Sequence, residues 1–520
     1  MRKSLLPALL TGALAALPAP IHAGEDQPSY WHRLRSGIER VTEALSGDAT
    51  GEVGAAAVDA QLMAAATATT MPAEPFPERS DYPPNWHFER LRDPVFGGEI
   101  LVVEAGKTNP QTLILVHGLG QNGFRDWSLQ IDALAAHFHV VALDLPGFGY
   151  SDVTAGRYSP TEYARVLAWL SARYGRGKVH VAGHSMGATV ALRFAANYPQ
   201  QVERLVLIDA TGILERTAFL KHSAEIPVQL PEVPGLLRKF IAQLKDLSDS
   251  VVELSGYAPD PTGLLLKSDQ AWNLMFSDAP SANAAVALIE EEFTEAVYTL
   301  PHATTIIWGE QDPVAPLRTG QALADRLPAA HLVTIADAAH VPMRSHPDAL
   351  NRLMLDALLK PLPARQGQPV PPDSQGDLTC RNQTGTVYRG RYRHIELDHC
   401  TAVRFEQVEA ASISLNESIA TFHQVQVEAQ GVAIRARESV LRITAGSITG
   451  ATAISADASR LDLVAVTLTG HETAVRSREG SRVIVSISDM RSPLFTGYVH
   501  GAFKVADATL DQVLADRSDR

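Results

Sequence analysis

A serine between two glycines is the residue of this sequence with the clearest chemical use. Gly183, His184, Ser185, Met186 and Gly187 follow a buried apolar run and open a helical stretch. A strand that turns sharply into a helix strains the residue at the apex, and only glycine fits two positions to either side. The turn would lift the serine hydroxyl above a sheet, beside unpaired N–H groups of the helix. The motif therefore predicts a nucleophilic serine.

A serine hydroxyl is a weak nucleophile, so it needs a base and a group that orients the base. His340 follows the last predicted strand of its region, and Asp312 follows the strand before it. Both lie in loops at the carboxyl edge of the predicted sheet, as Ser185 does. We predict that His340 takes the serine proton and that Asp312 fixes the imidazole tautomer. Two other carboxylates stay open as the acid, namely Glu310 and Asp209.

A second glycine-containing loop, His117 to Gly120, follows another buried run. Its glycines would let the backbone approach a substrate closely. The N–H of Leu119 and the N–H of Met186 are therefore predicted to bind an oxyanion together. For His117 itself we expect a structural role.

The elements that must position these residues are indicated by apolar runs separated by helical stretches. Such alternation predicts a parallel sheet with helices on both faces, whose chemistry collects beyond the carboxyl ends of the strands. Residues 211–300 interrupt the alternation and are predicted to form a helical lid, although an ordinary core helix also explains the apolar stripe at 236–247. The predicted strands lie at 99–104, 112–116, 140–144, 179–182, 205–209, 304–308 and 331–335, and the helices at 128–137, 160–174, 186–197, 318–327 and 346–359.

The C-terminal part has a different pattern. A linker rich in Pro, Gln and Gly is predicted at 361–376, an all-β domain at 377–492 and a tail at 493–520. Segments that begin at Ser439, Ser459 and Ser481 repeat every 20 to 22 residues, which is typical of one coil in a solenoid. The repeat resembles a short right-handed parallel β-helix, as in pectin-degrading enzymes and phage tailspikes. A small β-sandwich is the competing fold.

The N-terminal segment and the pair of cysteines predict an exported protein. Residues 1–23 have a basic start, an apolar stretch and a small residue at a cleavage position, which is typical of a signal peptide; an uncleaved anchor is the alternative. A helical extension with a Pro-rich arm follows at 24–84. Cys380 and Cys400 could form a disulfide in a periplasmic or extracellular setting, or stay as buried thiols. The net charge of −13 argues against a nucleic-acid partner.

Residues 85–360 resemble the α/β-hydrolase superfamily. The resemblance is carried by His117-Gly118, Asp144 to Ser151, Gly183 to Gly187, Gly309 to Asp312 and His340. It implies an α/β-hydrolase sheet, an acyl-enzyme intermediate on the serine, and no metal or other cofactor. The family contains esterases, lipases, C–C bond hydrolases, haloperoxidases and acyltransferases, so the resemblance does not fix the substrate.

Within that range we expect hydrolysis of a small-molecule carboxylic ester, and lipid esters are among the candidate substrates. Perhydrolysis or acyl transfer would use the same three residues and is the first alternative. An envelope protein whose β-helix binds a glycan or another partner is the second alternative.

Overall fold

The computed structural model describes residues 77–78, 81–215, 272–273, 276, 279–363 and 376–518. The predicted signal peptide, nearly all of the extension, the apolar stripe at 236–247 and most of the linker lie outside these residues. Residue contacts divide the described chain into two units. The first runs to Val179 and includes 279–288; the second contains 180–215 and everything from Ile289 onward. Each unit is described by itself, with elements numbered along the described residues.

The strands of the α/β-hydrolase sheet in the N-terminal half are divided between the two units. Those of the first unit run in the order β1-β2-β4-β3, with β3 parallel to β4 and the other pairs antiparallel. Those of the second unit run in the order β5-β6-β7-β8, and β6, β7 and β8 are parallel. The strands span His87–Arg92 (β1), Glu99–Ala105 (β2), Thr112–Val116 (β3), His139–Leu143 (β4), Val179–His184 (β5), Val202–Ile208 (β6), Ala303–Gly309 (β7) and Ala330–Ile335 (β8).

Helices separate most of these strands, as the sequence predicts. The second helix begins where Ser159 accepts a hydrogen bond from Glu162 N and Pro160 occupies the first turn, which is a favoured start for a helix. The helices span Ile131–Ala135 (α1), Pro160–Tyr174 (α2), Met186–Asn197 (α3), Pro280–Glu290 (α4), Thr294–Thr299 (α5), Leu317–Arg326 (α6), Pro342–Ser345 (α7) and Pro347–Leu359 (α8).

The predicted α/β sheet is confirmed, with one correction at its edge. β1 was not among the predicted strands, and β2 is antiparallel to both of its neighbours. The connection between β1 and β2 has only six residues, which is too short for the crossover that a parallel pair needs. Asp93 holds this turn by accepting hydrogen bonds from Val95 N and Phe96 N.

The C-terminal part is an all-β domain of parallel strands that form a closed ring, which we call the solenoid (residues 378–505). Its strands pair coil upon coil: Ile413 lies opposite Ile434, Ile434 opposite Ile454, and Ile454 opposite Val475. A β-sandwich is built from antiparallel sheets, so that alternative is wrong. The strands span Leu378–Arg381 (β9), Val387–Asp398 (β10), Val403–Asn416 (β11), Ile419–Glu428 (β12), Val432–Arg437 (β13), Val440–Asp457 (β14), Arg460–Ser477 (β15), Ser481–Arg491 (β16) and Thr496–Val505 (β17).

A ladder of serines joins one corner of successive coils. The backbone N–H of Ser418 donates to Ser439 Oγ, that of Ser439 to Ser459 Oγ, and that of Ser459 to Ser481 Oγ. Cys400 occupies the preceding position, because its N–H donates to Ser418 Oγ in the same way. The residue before each of these five positions has a positive φ, so the corner is a left-handed turn: His399, Glu417, Glu438, Ala458 and Gly480.

The solenoid extends beyond the predicted range. β17 lies antiparallel to β16, and a short strand, Ala508–Thr509 (β18), leads into the helix Leu510–Ser518 (α9). Asp511 of this helix is fully buried and accepts a hydrogen bond from Thr473 Oγ1 at 2.6 Å. Most of the predicted tail is therefore ordered structure. At the other end, the predicted disulfide between Cys380 and Cys400 is confirmed.

Helix α6 fastens the solenoid to the sheet within the second unit. Arg318 forms two hydrogen bonds with the Asp462 carboxylate, at 2.7 and 3.1 Å, and also donates to Thr444 Oγ1 and Ile443 O. Arg326 donates to Thr467 Oγ1 and to the Ala465 carbonyl. None of the helices described is long and apolar enough to cross a bilayer.

Candidate active site

The turn between β5 and α3 has the strained geometry that its glycines predict. Ser185 has φ 53° and ψ −120°, and its N–H donates to the Ile208 carbonyl at 2.9 Å. A Cβ on Gly183 would lie 2.1 Å from the Gly187 carbonyl oxygen, a backbone atom that cannot move aside without disturbing the turn. Glycine at position 183 is thus a condition for this conformation of Ser185.

Ser185, His340 and Asp312 are brought together into one hydrogen-bonded chain. Ser185 Oγ lies 2.9 Å from His340 Nε2, and His340 Nδ1 lies 2.8 Å from Asp312 Oδ2. The other oxygen of Asp312 accepts from Val314 N at 2.7 Å and Ala315 N at 3.0 Å. The side chains of Ser185, His340 and Asp312 are all buried, so water screens the hydrogen bonds between them only weakly.

The two rival carboxylates have other hydrogen-bond partners. Glu310 accepts a hydrogen bond from Thr334 Oγ1 on the exposed side of the sheet edge. Asp209 is fully buried at the end of β6, where its Oδ1 accepts from Gly309 N at 2.8 Å. Neither forms a hydrogen bond with His340, so the geometry favours Asp312 as the acid partner.

Two further side chains belong to this site. His184 Nε2 donates to the His340 carbonyl oxygen at 2.6 Å, and the two imidazole rings lie 5.0 Å apart. Thr211 Oγ1 lies 3.5 Å from Ser185 Oγ. His184 was part of the predicted motif but was given no role there. Thr211 has no sequence signal, because only the folding of the loop after β6 brings it to the serine.

In the first unit, His117 makes two hydrogen bonds at the start of the loop that contains Leu119. His117 Nε2 accepts from Leu145 N at 2.9 Å, and its Nδ1 donates to Gly118 O at 2.7 Å. Burial lowers the pKa of His117, which keeps the ring neutral and able to accept. These bonds give His117 a structural position. The pairing of Leu119 with Met186 as oxyanion donors stays a prediction.

The hydrogen-bonded chain has the groups that acyl transfer through a serine requires. In the tautomer whose Nδ1 donates to Asp312, Nε2 is the ring nitrogen that can accept a hydrogen bond from Ser185 Oγ. Ser185 is also the N-cap of α3, so the first backbone N–H groups of that helix lie beside the hydroxyl. Among the described residues, no group of His, Cys, Asp and Glu has the arrangement of a metal site.

Comparison with known proteins agrees with this architecture. Residues 111–347 match the family model described as alpha/beta hydrolase fold. Lipase 1 of Psychrobacter immobilis is 27% identical over 253 residues, which cover 48% of this chain and 76% of the lipase. A 2-hydroxy-6-oxononadienedioate/2-hydroxy-6-oxononatrienedioate hydrolase of Escherichia coli is 29% identical over 284 residues, which cover 50% of this chain and 94% of that enzyme. The solved structure of a thermophilic esterase from Thermogutta terrifontis is 26% identical, with a TM-score of 0.39, over 52% of this chain and 98% of the esterase.

Proposed function

We propose that this protein hydrolyses carboxylic esters through an acyl-enzyme on Ser185. Residues 111–347 match the family model of the alpha/beta hydrolase fold, which supports a hydrolase. The observation that supports this most is the chain from Ser185 Oγ through His340 to Asp312, with bonds of 2.9 and 2.8 Å. The similarity to a lipase favours an ester or lipid substrate.

In this reaction, His340 accepts the proton of Ser185 while the serine oxygen attacks the ester carbonyl carbon. The imidazolium then gives that proton to the departing alcohol, which leaves the acyl group on Ser185. Water, deprotonated by His340, attacks the acyl-enzyme in the second half and releases the acid. Asp312 holds the ring in the tautomer that both steps need. The negative charge that develops on the carbonyl oxygen would be stabilised by backbone N–H groups at the start of α3, where Ser185 is the N-cap.

Labelling with a fluorophosphonate and turnover of p-nitrophenyl esters test the nucleophile. Wild-type protein should be labelled, whereas Ser185→Ala should lose the label and about 10⁴- to 10⁶-fold in kcat. Ser345→Ala is the matched control, because Ser345 is an exposed serine of the same sheet edge. A series of acyl chain lengths then separates an esterase from a lipase. Labelling without ester turnover would point to another acyl-transfer reaction, and folded protein that resists labelling would contradict the proposal.

The choice of acid is tested by a pair of amide variants. Asp312→Asn should lower kcat by about 10⁴-fold, because an amide at this position favours the wrong imidazole tautomer. Glu310→Gln should leave kcat unchanged, since Glu310 bonds only to Thr334 near the site. The reverse result would make Glu310 the acid.

We also propose that the protein is exported. The supporting observations are the basic and apolar pattern of residues 1–23 and the disulfide between Cys380 and Cys400, a bond that persists in oxidising compartments. Fractionation of cells and N-terminal sequencing should find a mature chain that begins at Gly24 outside the cytoplasm. Retention of residues 1–23 in the recovered protein would support the anchor alternative.

A further inference from the structure

Asp209 is a buried carboxyl group beside the hydrogen-bonded chain, and the mechanism above gives it no role. Its side chain is 0% exposed at the end of β6. Its φ is 46°, so it holds a left-handed conformation that costs free energy in a residue other than glycine. Together with Ser185, it is one of three such non-glycine residues in the described part of the sheet domain; the third is Asp337.

The two oxygens of Asp209 have different surroundings. Oδ1 accepts from Gly309 N at 2.8 Å, at the start of the turn that contains Asp312. Oδ2 is buried and receives no hydrogen bond. Burying a charged carboxylate oxygen without a hydrogen bond is unfavourable. The same oxygen in protonated form has an O–H group, which can donate a hydrogen bond to a nearby acceptor.

Asp312 is the neighbouring group that can accept a hydrogen bond from this proton, because Asp209 is bonded to Gly309 at the start of the Asp312 turn and the two carboxyl groups interact directly. The Asp312 carboxylate receives hydrogen bonds from Val314 N, Ala315 N and His340 Nδ1, three donors that stabilise a negative charge. Asp209 has one such donor. Burial and the charge of Asp312 raise the pKa of Asp209 well above its ordinary value. Two adjacent buried carboxyl groups do not both ionise, so the proton remains with the less solvated one.

We propose that, given the esterase function above, Asp209 is a positioning residue that keeps its proton and donates a hydrogen bond from Oδ2 to the Asp312 carboxylate. The bond fixes the rotation of Asp312 and draws part of its charge away from His340. Asp312 then still orients the imidazole of His340, but its reduced charge stabilises the protonated form of the ring less. The pair carries a single negative charge.

Several other titratable groups lie around Asp209 and could also change their protonation in the pH range of the kinetic measurements. Asp312 approaches from the loop after β7, and His340 lies beyond it in the loop after β8. His184 reaches the same loop from the turn after β5. Glu310 lies on the exposed side, bonded to Thr334. Of these, only Asp312 acts on Asp209 by charge strongly enough to shift its pKa.

Two substitutions at position 209 separate a neutral donor from a charge. Asp209→Asn replaces a neutral carboxyl group with a neutral amide that also donates, so kcat/KM should stay within about threefold and the acid limb of its pH profile should not move. Asp209→Leu removes the donor. Its kcat/KM should fall about 10- to 100-fold, and the acid limb should move to higher pH, because the full charge of Asp312 then acts on His340.

Either of two kinetic results would overturn the proposal. If the acid limb of Asp209→Asn moves to lower pH, a negative charge has been lost, and Asp209 was ionised in the wild type. If Asp209→Leu has the wild-type pH profile and kcat/KM, no hydrogen bond to Asp312 contributes. Circular dichroism of each variant separates these results from a loss of fold.

A second measurement needs no activity and so distinguishes failure of this inference from failure of the proposed function. Between the ordinary carboxyl pKa near 4 and the raised native value, the native wild type holds one proton more than the unfolded chain. The folding equilibrium constant of the wild type should therefore fall about tenfold per pH unit relative to Asp209→Asn. Thermal unfolding from pH 5 to 7 should show the midpoint of Asp209→Asn rising relative to the wild type.

Asp337→Asn is the matched control for that measurement. Asp337 also has a positive φ, at 59°, but its side chain is exposed and accepts from Gln311 Nε2. The difference in midpoint between Asp337→Asn and the wild type should be the same at pH 5 and pH 7. A constant difference for Asp209→Asn as well would show that Asp209 titrates normally and would overturn the inference.

Discussion

At the scale of single residues, the carboxyl edge of the sheet combines strain with burial of charge. Ser185 and Asp209 are both left-handed, and each is held by a backbone hydrogen bond to a neighbouring strand: Ser185 N to Ile208 O, and Asp209 N to Ile307 O. Strain of this kind persists only where the surrounding structure fixes it. The motif around Ser185 makes its conformation predictable from the sequence. Asp209 lacks such a motif, because nothing local to it requires a left-handed residue.

A buried histidine in β5 should make stability depend on pH on the acid side. His180 is 2% exposed, and burial, with a smaller effect of Arg204, lowers its pKa to about 4. Between about 4 and the ordinary value near 6.5, the unfolded chain binds a proton that the native state does not. The free energy of unfolding should therefore fall by about 1.4 kcal/mol per pH unit as the pH drops through that interval.

His180→Gln isolates this effect, because glutamine cannot take up the proton. Thermal unfolding at pH 7 and pH 4.5 should show a smaller loss of stability for His180→Gln than for the wild type. His87→Gln, at an exposed position in β1, serves as the control and should follow the wild type at both values. Parallel pH dependence of all three proteins would mean that His180 is protonated in the native state.

At the scale of elements, continuous apolar runs were sufficient to predict most of the sheet. The ends of these runs also indicated that Ser185, Asp312 and His340 lie close together, and the three are hydrogen-bonded. β3 and β4 are buried at every position, which is why their sequences are apolar throughout. β1 was missed because its sequence, HFERLR, is largely polar and half-exposed at a sheet edge. The serine ladder also has a sequence signal, a serine every 20 to 22 residues, but its bonds depend on the stacking of coils.

The contact between α6 and the solenoid should contribute measurably to stability. Arg318 and Asp462 are each about one-fifth exposed and form a two-bond pair, so Arg318→Met should lower the free energy of unfolding by about 2 kcal/mol. Arg393 and Asp377 form a similar two-bond pair at an exposed position. Arg393→Met is therefore the matched control and should leave the unfolding midpoint unchanged in thermal or denaturant titration. Equal effects of both variants would contradict a special role for the α6 contact.

At the scale of the whole molecule, the sequence predicted an α/β sheet, a solenoid, and a disulfide between Cys380 and Cys400 in the solenoid. The repeat of 20 to 22 residues predicted stacked coils, which the parallel pairing confirms. The ordered segment after residue 492 was not foreseen, because β17 pairs antiparallel and breaks the repeat. The predicted lid lies mostly outside the described residues. At its end, Asn283 of α4 bonds to Tyr158 N and to Trp272 Nε1.

The disulfide should stabilise the solenoid by restricting the unfolded chain. Cys380 and Cys400 are 20 residues apart, a loop for which the chain-entropy model gives about 3 kcal/mol. A reductant should therefore lower the unfolding midpoint of the solenoid in the wild type. The double variant Cys380→Ser/Cys400→Ser should unfold at the lower midpoint with or without reductant. An unchanged midpoint on reduction of the wild type, with free thiols confirmed by titration, would contradict this stabilisation.

The serine ladder has a consequence for how such a chain can change in length. Each corner is completed by a hydroxyl from the following coil, and the corners at Ser418, Ser439 and Ser459 each offer the same N–H and the same hydroxyl. Excision of 439–458 would bring Ser418 N opposite Ser459 Oγ, and the ladder would close again. Loss of an odd number of residues within a strand would turn its inward-facing side chains toward solvent. Insertions and deletions in this domain are therefore tolerated in whole turns, so gene duplication can lengthen it without any new packing solution.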